Sequence, residues 1–221
     1  MCDIVLPFPE DKTESESDSV SMVAGKDGQV STPATPRRTR ADAARNRDRL
    51  LRAARELFAE KGSQVQLPDV ARAAGVGVGT VYRHFPTLAE LVDAAAEQRF
   101  AEIENYARTE CLPHAGAGEG LRRYLMHVGE LLSADRGLSA AVEAARRSPG
   151  SEPRGMSRAR LEAVVGEIIA HDREAGALRE DCTAADAYLL VGAISATVRT
   201  GSGDWRRLLD LMLDGLRPRD T

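Results

Sequence analysis

Sulfur, imidazole and aromatic side chains are scarce in this chain. Its 221 residues include three cysteines, four histidines and one tryptophan, and Phe, Trp and Tyr together make up 4%. Cys2, Cys111 and Cys182 stand far apart with no CxxC pair. That spacing argues against a disulfide framework or a zinc site and fits a reducing cytoplasm. His84, His114, His127 and His171 show neither HxH nor HxxxH spacing, so no metal is expected. No apolar run approaches the roughly 18 residues of a membrane span. The first residues lack the basic start and apolar stretch of a secretory signal. A cytoplasmic protein with no cofactor and no membrane contact is expected. Strand signals are few, and hydrophobic residues make up 43%, enough for a core in one large domain or two smaller ones.

Charge is plentiful but uneven. The net charge is −4, yet residues 37–85 carry eleven Lys/Arg against five Asp/Glu, a local +6. Residues 1–36 are −5 and residues 86–221 are −5. A basic segment inside an acidic protein is the electrostatic footprint of nucleic-acid binding. Charge alone does not separate that from a solvated helix face.

Periodicity predicts an all-α fold. Residues 1–36 are rich in Ser, Asp, Glu and Thr and read as a disordered acidic tail, closed by the basic arm Arg37, Arg38 and Arg40. From Ala41 the period becomes 3.6, with Leu50, Leu51, Ala54, Leu57 and Phe58 on one stripe and Lys61-Gly62 ending the helix. A second helix runs from Leu67 to Ala74, with Pro68 tolerable in its first turn. A third runs from about Val78 to His84, ended by Pro86, and Thr87 with Glu90 forms a capping box for a fourth. Further helices are expected over 119–133, 137–147, 157–175, from Thr183 to Thr200 with Asp186 completing a capping box, and over 205–216. The acidic residues Asp172, Glu174, Glu180 and Asp181 read as a solvated turn. The expected domains are 1–40, tail and arm; 41–87, a three-helix helix-turn-helix; and 88–221, a helical domain.

The stretch GVGVGTVYRHF (75–85) carries the functional signal. A dinucleotide fingerprint needs G-x-G-x-x-G after a hydrophobic strand, whereas here G-x-G-x-G follows a helix-forming run. A Walker loop needs Lys-Ser/Thr after its last glycine, and Thr80-Val81 follows Gly79. A turn between helices accounts for the glycines: Gly75 leaves the second helix with positive φ, Gly77 opens the third, and Gly79 lets the helix approach a DNA backbone. The third helix would present Thr80, Tyr82, Arg83 and His84 to phosphates and base edges, with Val81 and Phe85 inward. The rival is a buried Tyr/His/Phe cluster, which explains Phe85 but not three polar residues in succession.

With these residues in hand, LLRAARELFAEKG (50–62) and DVARAAGVGVGTVYRHFPTLAEL (69–91) resemble the DNA-binding domain of TetR-family transcriptional regulators. The C-terminal segments GLRRYLMHVGELLSADRGL, GAISATVR and LLDLMLDGLRP resemble the SbtR-like subgroup. The resemblance implies a homodimer that binds a double-stranded DNA operator and is released by a small-molecule effector held in the C-terminal domain. It implies DNA contacts from Thr80, Tyr82, Arg83 and His84, with Thr87 where the fourth helix meets a phosphate. Arg37, Arg38, Arg40 and Arg45, and the backbone of Gly77 and Gly79, are counted with them. The chain departs from the family pattern at Gln66, a weak N-cap, and at Gly77-Val78, where many members have Ser-Lys.

Two further expectations concern the C-terminal part. Tyr124, His127, His171 and Tyr188 are candidate effector-pocket residues. The last two helices have apolar faces too wide for one covered side, so Tyr188, Val191, Ile194, Trp205, Leu208, Leu209, Met212 and Leu216 are expected at a dimer seam. Two other classes stay open. A helical enzyme would need paired titratable groups, which spacing does not show. A nucleoid-type protein would bind DNA without sequence preference.

Overall fold

Proline opens the first helix. The computed structural model describes residues 36–147 and 150–218, so the expected acidic tail over 1–36 lies, but for Pro36, outside the described residues. Helix α1 spans Pro36–Lys61. It starts five residues before the expected Ala41, because proline's missing N–H is unneeded at the first helical position and nothing in RRTRADAARNR breaks a helix. Arg37, Arg38 and Arg40 therefore belong to the first turns of α1, not to a leader ahead of it. The α1 stripe buries Leu50, Leu51, Ala54 and Phe58.

After one 3₁₀ turn, Gly62–Gln64, come α2 (Leu67–Ala74), α3 (Val78–His84) and α4 (Leu88–Tyr106). Gln66 precedes α2 without a side-chain cap bond. Gly75 ends α2 at φ 65, and the following Val76 N–H reaches back to Ala71 O at 3.0 Å. Only glycine adopts that left-handed turn at no steric cost. Val81 and Phe85 fix α3 to the core, as both are buried.

The chain remains helical beyond α4, where no element was expected. A π turn, Ala107–Cys111, leads into the short α5, Leu112–Ala115. Pro113 supplies no N–H to the carbonyl four residues earlier and its ring crowds that carbonyl, which favours a widened turn just before it. Then follow α6 (Gly120–Ala134), α7 (Arg136–Arg146), α8 (Gly155–Glu174), α9 (Ala184–Thr200) and α10 (Trp205–Gly215). The Thr183/Asp186 capping box forms, and Gly201 ends α9 at φ 64. No described residue lies in a strand. No helix among the described residues is long and apolar enough to cross a membrane.

Asp172 is not part of a solvated turn. It is buried on α8 and accepts N–H bonds from Gly120 at 3.2 Å and Leu121 at 2.8 Å, capping α6 from another helix. Burial raises its pKa, and the two backbone bonds oppose that shift. Its place on the apolar stripe, four residues after Ile168, carries it inside.

Two contacts fix α1 against the rest of the helices. Arg55 on α1 donates to Glu102 on α4 at 2.8 Å and to Asp135, just before α7, at 3.1 Å. Gly137 lies so close to the end of α1 that an added Cβ would stand 1.7 Å from the Phe58 carbonyl oxygen. Helix α4 packs on α7 and α8, while α6 packs on α8, α9 and α10.

Candidate DNA-reading face and interior cavity

Helix α3 turns its apolar residues two ways. Val81 is buried, whereas Val78 is 45% exposed and Tyr82 47% exposed. The Tyr82 ring is thus open to solvent over about half its surface and available to a partner. Arg83 is exposed and bonds only to its own helix, its Nε donating to Gly79 O at 3.2 Å. Thr80 and His84 are half-buried, and with Arg83 they line a surface cleft against Asp42, Ala43 and Asn46 of α1. All four expected residues thus lie on α3: Tyr82 and Arg83 are exposed, while Thr80 and His84 are half-buried beside α1. Gly77 precedes α3 in extended backbone, and nothing lies within 4 Å of where a Gly79 Cβ would sit.

Around this helix the cations are placed differently. Arg45 is exposed on α1 and pairs with Asp42. Arg47 lies over the Phe85 ring, 4.9 Å from its centre, anchoring α1 on the end of α3. The Thr87 hydroxyl caps α4, accepting from Glu90 N–H at 3.2 Å and donating to the Glu90 carboxylate at 3.2 Å. Its proton is therefore already committed within the chain.

The second feature is interior. A cavity of about 330 Å³ lies among α4, α6, α8 and α9 and the 150–153 segment, walled by apolar residues including Phe100, Ile103, Val128, Leu132, Leu161 and Val191. Tyr124 and Tyr188, two of the four candidate pocket residues, line it. Tyr124 is buried, and burial pushes its phenol pKa up. Tyr188 donates to Arg158 O at 3.4 Å and lies under the Arg158 guanidinium, 4.2 Å from the ring centre. His127 is not in the wall; it stacks on Tyr106 with ring centres 3.7 Å apart, and burial lowers its pKa. His171 is exposed and also outside the wall.

Arg99 was not foreseen. It lines the cavity at 2% exposure, donating to Ser139 Oγ at 3.1 Å and Ser151 O at 3.4 Å. Burial pulls its pKa down to about 10, so it remains charged at neutral pH. The signal was in the sequence. Arg99 falls eight residues after Leu91 and four after Ala95 on the apolar stripe of α4, where a charge is out of place.

The expected dimer seam needs correction. Ile194, Trp205 and Leu209 are buried within the single chain, Leu209 at 0% exposure. Gly129 on α6 leaves the space that the Trp205 ring fills. What α9 and α10 expose are Leu189, at 72%, and Leu211, at 52%. Tyr188, Val191, Leu208, Met212 and Leu216 are half-buried.

A pair of short helices joined by a glycine turn, the second helix displaying Tyr82 and Arg83, defines a helix-turn-helix protein. Known proteins carry this further. Residues 50–95 match the family model for bacterial regulatory proteins of the TetR family, and residues 116–218 match that for the SbtR-like transcriptional regulator C-terminal domain. A TetR transcription regulatory protein from Mycobacterium vanbaalenii is 38% identical with a TM-score of 0.58, covering 81% of this chain and 99% of that one. A TetR transcriptional regulator from Streptomyces coelicolor is 34% identical with a TM-score of 0.55, covering 79% of this chain and 99% of that one. An HTH-type transcriptional regulator of Staphylococcus aureus is 37% identical over 76 residues, 31% of this chain and 39% of that protein's length. The chain belongs to the TetR family, whose members are DNA-binding transcriptional regulators.

Proposed function

We propose that this protein is a repressor that binds its operator as a homodimer and is released by a small molecule entering the α4–α9 cavity. The observation that carries the reading is the continuity of α4. Only three residues separate it from the end of α3, and Arg99, Phe100 and Ile103 on the same helix line the cavity. Arg99 lies eleven positions beyond Leu88, roughly 17 Å along the axis. A ligand that shifts α4 therefore moves the base of α3. Repression is relieved if the ligand binds better to the conformation whose two α3 helices are wrongly spaced for DNA, a coupling of typically about 1–3 kcal/mol. The Arg55 bonds to Glu102 and Asp135 tie α1 to the same movement.

On DNA, Arg83 reads a base edge while Tyr82, Thr80, His84 and the α1 cations hold phosphates. The homodimer forms through the exposed sides of α9 and α10 around Leu189 and Leu211, since the lone chain leaves those leucines uncovered. The functional division is a DNA-binding part over 41–87 and an effector-binding and dimerising part over 88–221. The protein performs no catalysis in this reading.

Selection of bound sequences from a random DNA pool tests it. Enrichment of a two-fold symmetric site, with random DNA competing poorly, is the expected result. Equal competition by random DNA would replace the reading with a nucleoid-type one.

A further inference from the structure

Arg99 is a buried cation that forms no ion pair among the described residues. Its two bonds go to neutral oxygens, the Ser139 hydroxyl and the Ser151 carbonyl. The two carboxylates that favour its charge, Asp135 and Glu102, are both paired with Arg55, at 3.1 and 2.8 Å. Asp135 and Glu102 favour the charge from further off, while Arg55 and Arg146 oppose it. A buried guanidinium left in this state is costly unless something else completes it. Each terminal nitrogen of a guanidinium has two N–H groups, and Arg99 uses one bond from each.

A second polar group shares the cavity. Tyr124 is 4% exposed, and its hydroxyl has no hydrogen-bond partner among the described residues. The other charges in the wall are matched or open to water. Arg199 lies 3.8 Å from Glu143, Arg158 lies 3.7 Å from Glu162, and Glu152 is exposed. The two wall carboxylates disfavour a polyanion, and the apolar lining favours a hydrophobic body.

We infer that the effector is a monocarboxylic acid with an aliphatic or aromatic body, its carboxylate seated on the free N–H groups of Arg99. The Tyr124 hydroxyl serves another oxygen of the same molecule. This rests on the reading of the cavity as an effector site. A charge-assisted, two-point contact with a buried guanidinium separates an acid from its neutral analogue by roughly 10- to 100-fold in affinity.

The test uses the full chain and two matched probe sets: straight-chain carboxylates from butanoate to decanoate with benzoate, and the corresponding alcohols with benzyl alcohol. Calorimetry on the wild type is expected to show at least one acid binding roughly tenfold or more tighter than its alcohol. Arg99→Met is expected to abolish that preference, Arg99→Lys to retain part of it, and Tyr124→Phe to weaken acid binding. No acid binding in the wild type, equal binding of acids and alcohols, or a preference that survives Arg99→Met would overturn the proposal. Operator binding without ligand is measured in parallel on the same protein. Specific DNA binding with no acid preference removes only the acid inference, whereas loss of specific DNA binding removes the regulator reading itself.

Discussion

Helices α3 and α4 are three residues apart and break the usual inside–outside rule in opposite directions. Helix α3 displays Val78 and Tyr82, which a helix concerned only with folding would hide. Helix α4 hides Arg99, which such a helix would display. In the proposed reading each faces a space that a partner fills, a DNA groove outside and a cavity inside. The residues that obey the rule, Val81 on α3 and Leu91 on α4, hold the helices in place. In the proposed reading, function is marked by the enclosed Arg99 and by the displayed face of α3.

The sharpest contrast is between two leucines. Leu209→Glu puts a charge into the core and is expected to destabilise the chain by more than about 4 kcal/mol, so that it unfolds before any question of assembly arises. Leu189→Glu, on the uncovered side of α9, is expected to keep the helical circular dichroism and the chemical stability of the chain while giving a monomer by light scattering. Operator affinity is expected to fall with it. A dimeric Leu189→Glu protein would place the seam elsewhere.

A smaller effect comes from a charge that does have partners. Asp172→Ala leaves the Gly120 and Leu121 N–H groups without their acceptor and is expected to cost about 2 kcal/mol in urea unfolding. Burial raises the folded pKa of Asp172, so its contribution is fully present below the free carboxylate pKa and declines as pH rises through the folded value. The cost of the substitution is accordingly expected to be larger at acid pH than at neutral pH.

Arg99→Met tests the cost of the hidden cation. Because the buried guanidinium forms no ion pair among the described residues, the substitution is expected to raise unliganded stability by about 1–2 kcal/mol. A loss of stability would mean that its bonds to Ser139 and Ser151 outweigh desolvation. The smallest effect is expected on the outer face. Tyr82→Phe should change stability by less than about 0.5 kcal/mol while weakening binding to all DNA sequences alike.

Local signals were the most legible in the sequence. Gly75 and Gly201 adopt positive φ, and the Thr183/Asp186 box forms, because each depends on residues within a few positions. The α3 face was legible because polar residues in succession on a short helix leave few alternatives. Tertiary relations were not. Arg99 was passed over on the α4 stripe and Asp172 was read as part of a solvated turn, because only the packing of α4 and α8 shows that both are enclosed. The width of the apolar faces on α9 and α10 did not reveal which leucines meet the chain's own core. Trp205, Ile194 and Leu209 turned inward because α6 offers them a surface.

The most direct test of the account is the effect of Arg83→Ala on binding to a selected operator and to random DNA at one salt concentration. A loss of about 1–3 kcal/mol per half-site on the operator, relaxed preference at one base position, and little change on random DNA are expected. An equal loss on both would show that Arg83 only neutralises phosphate and that α3 does not read sequence through it.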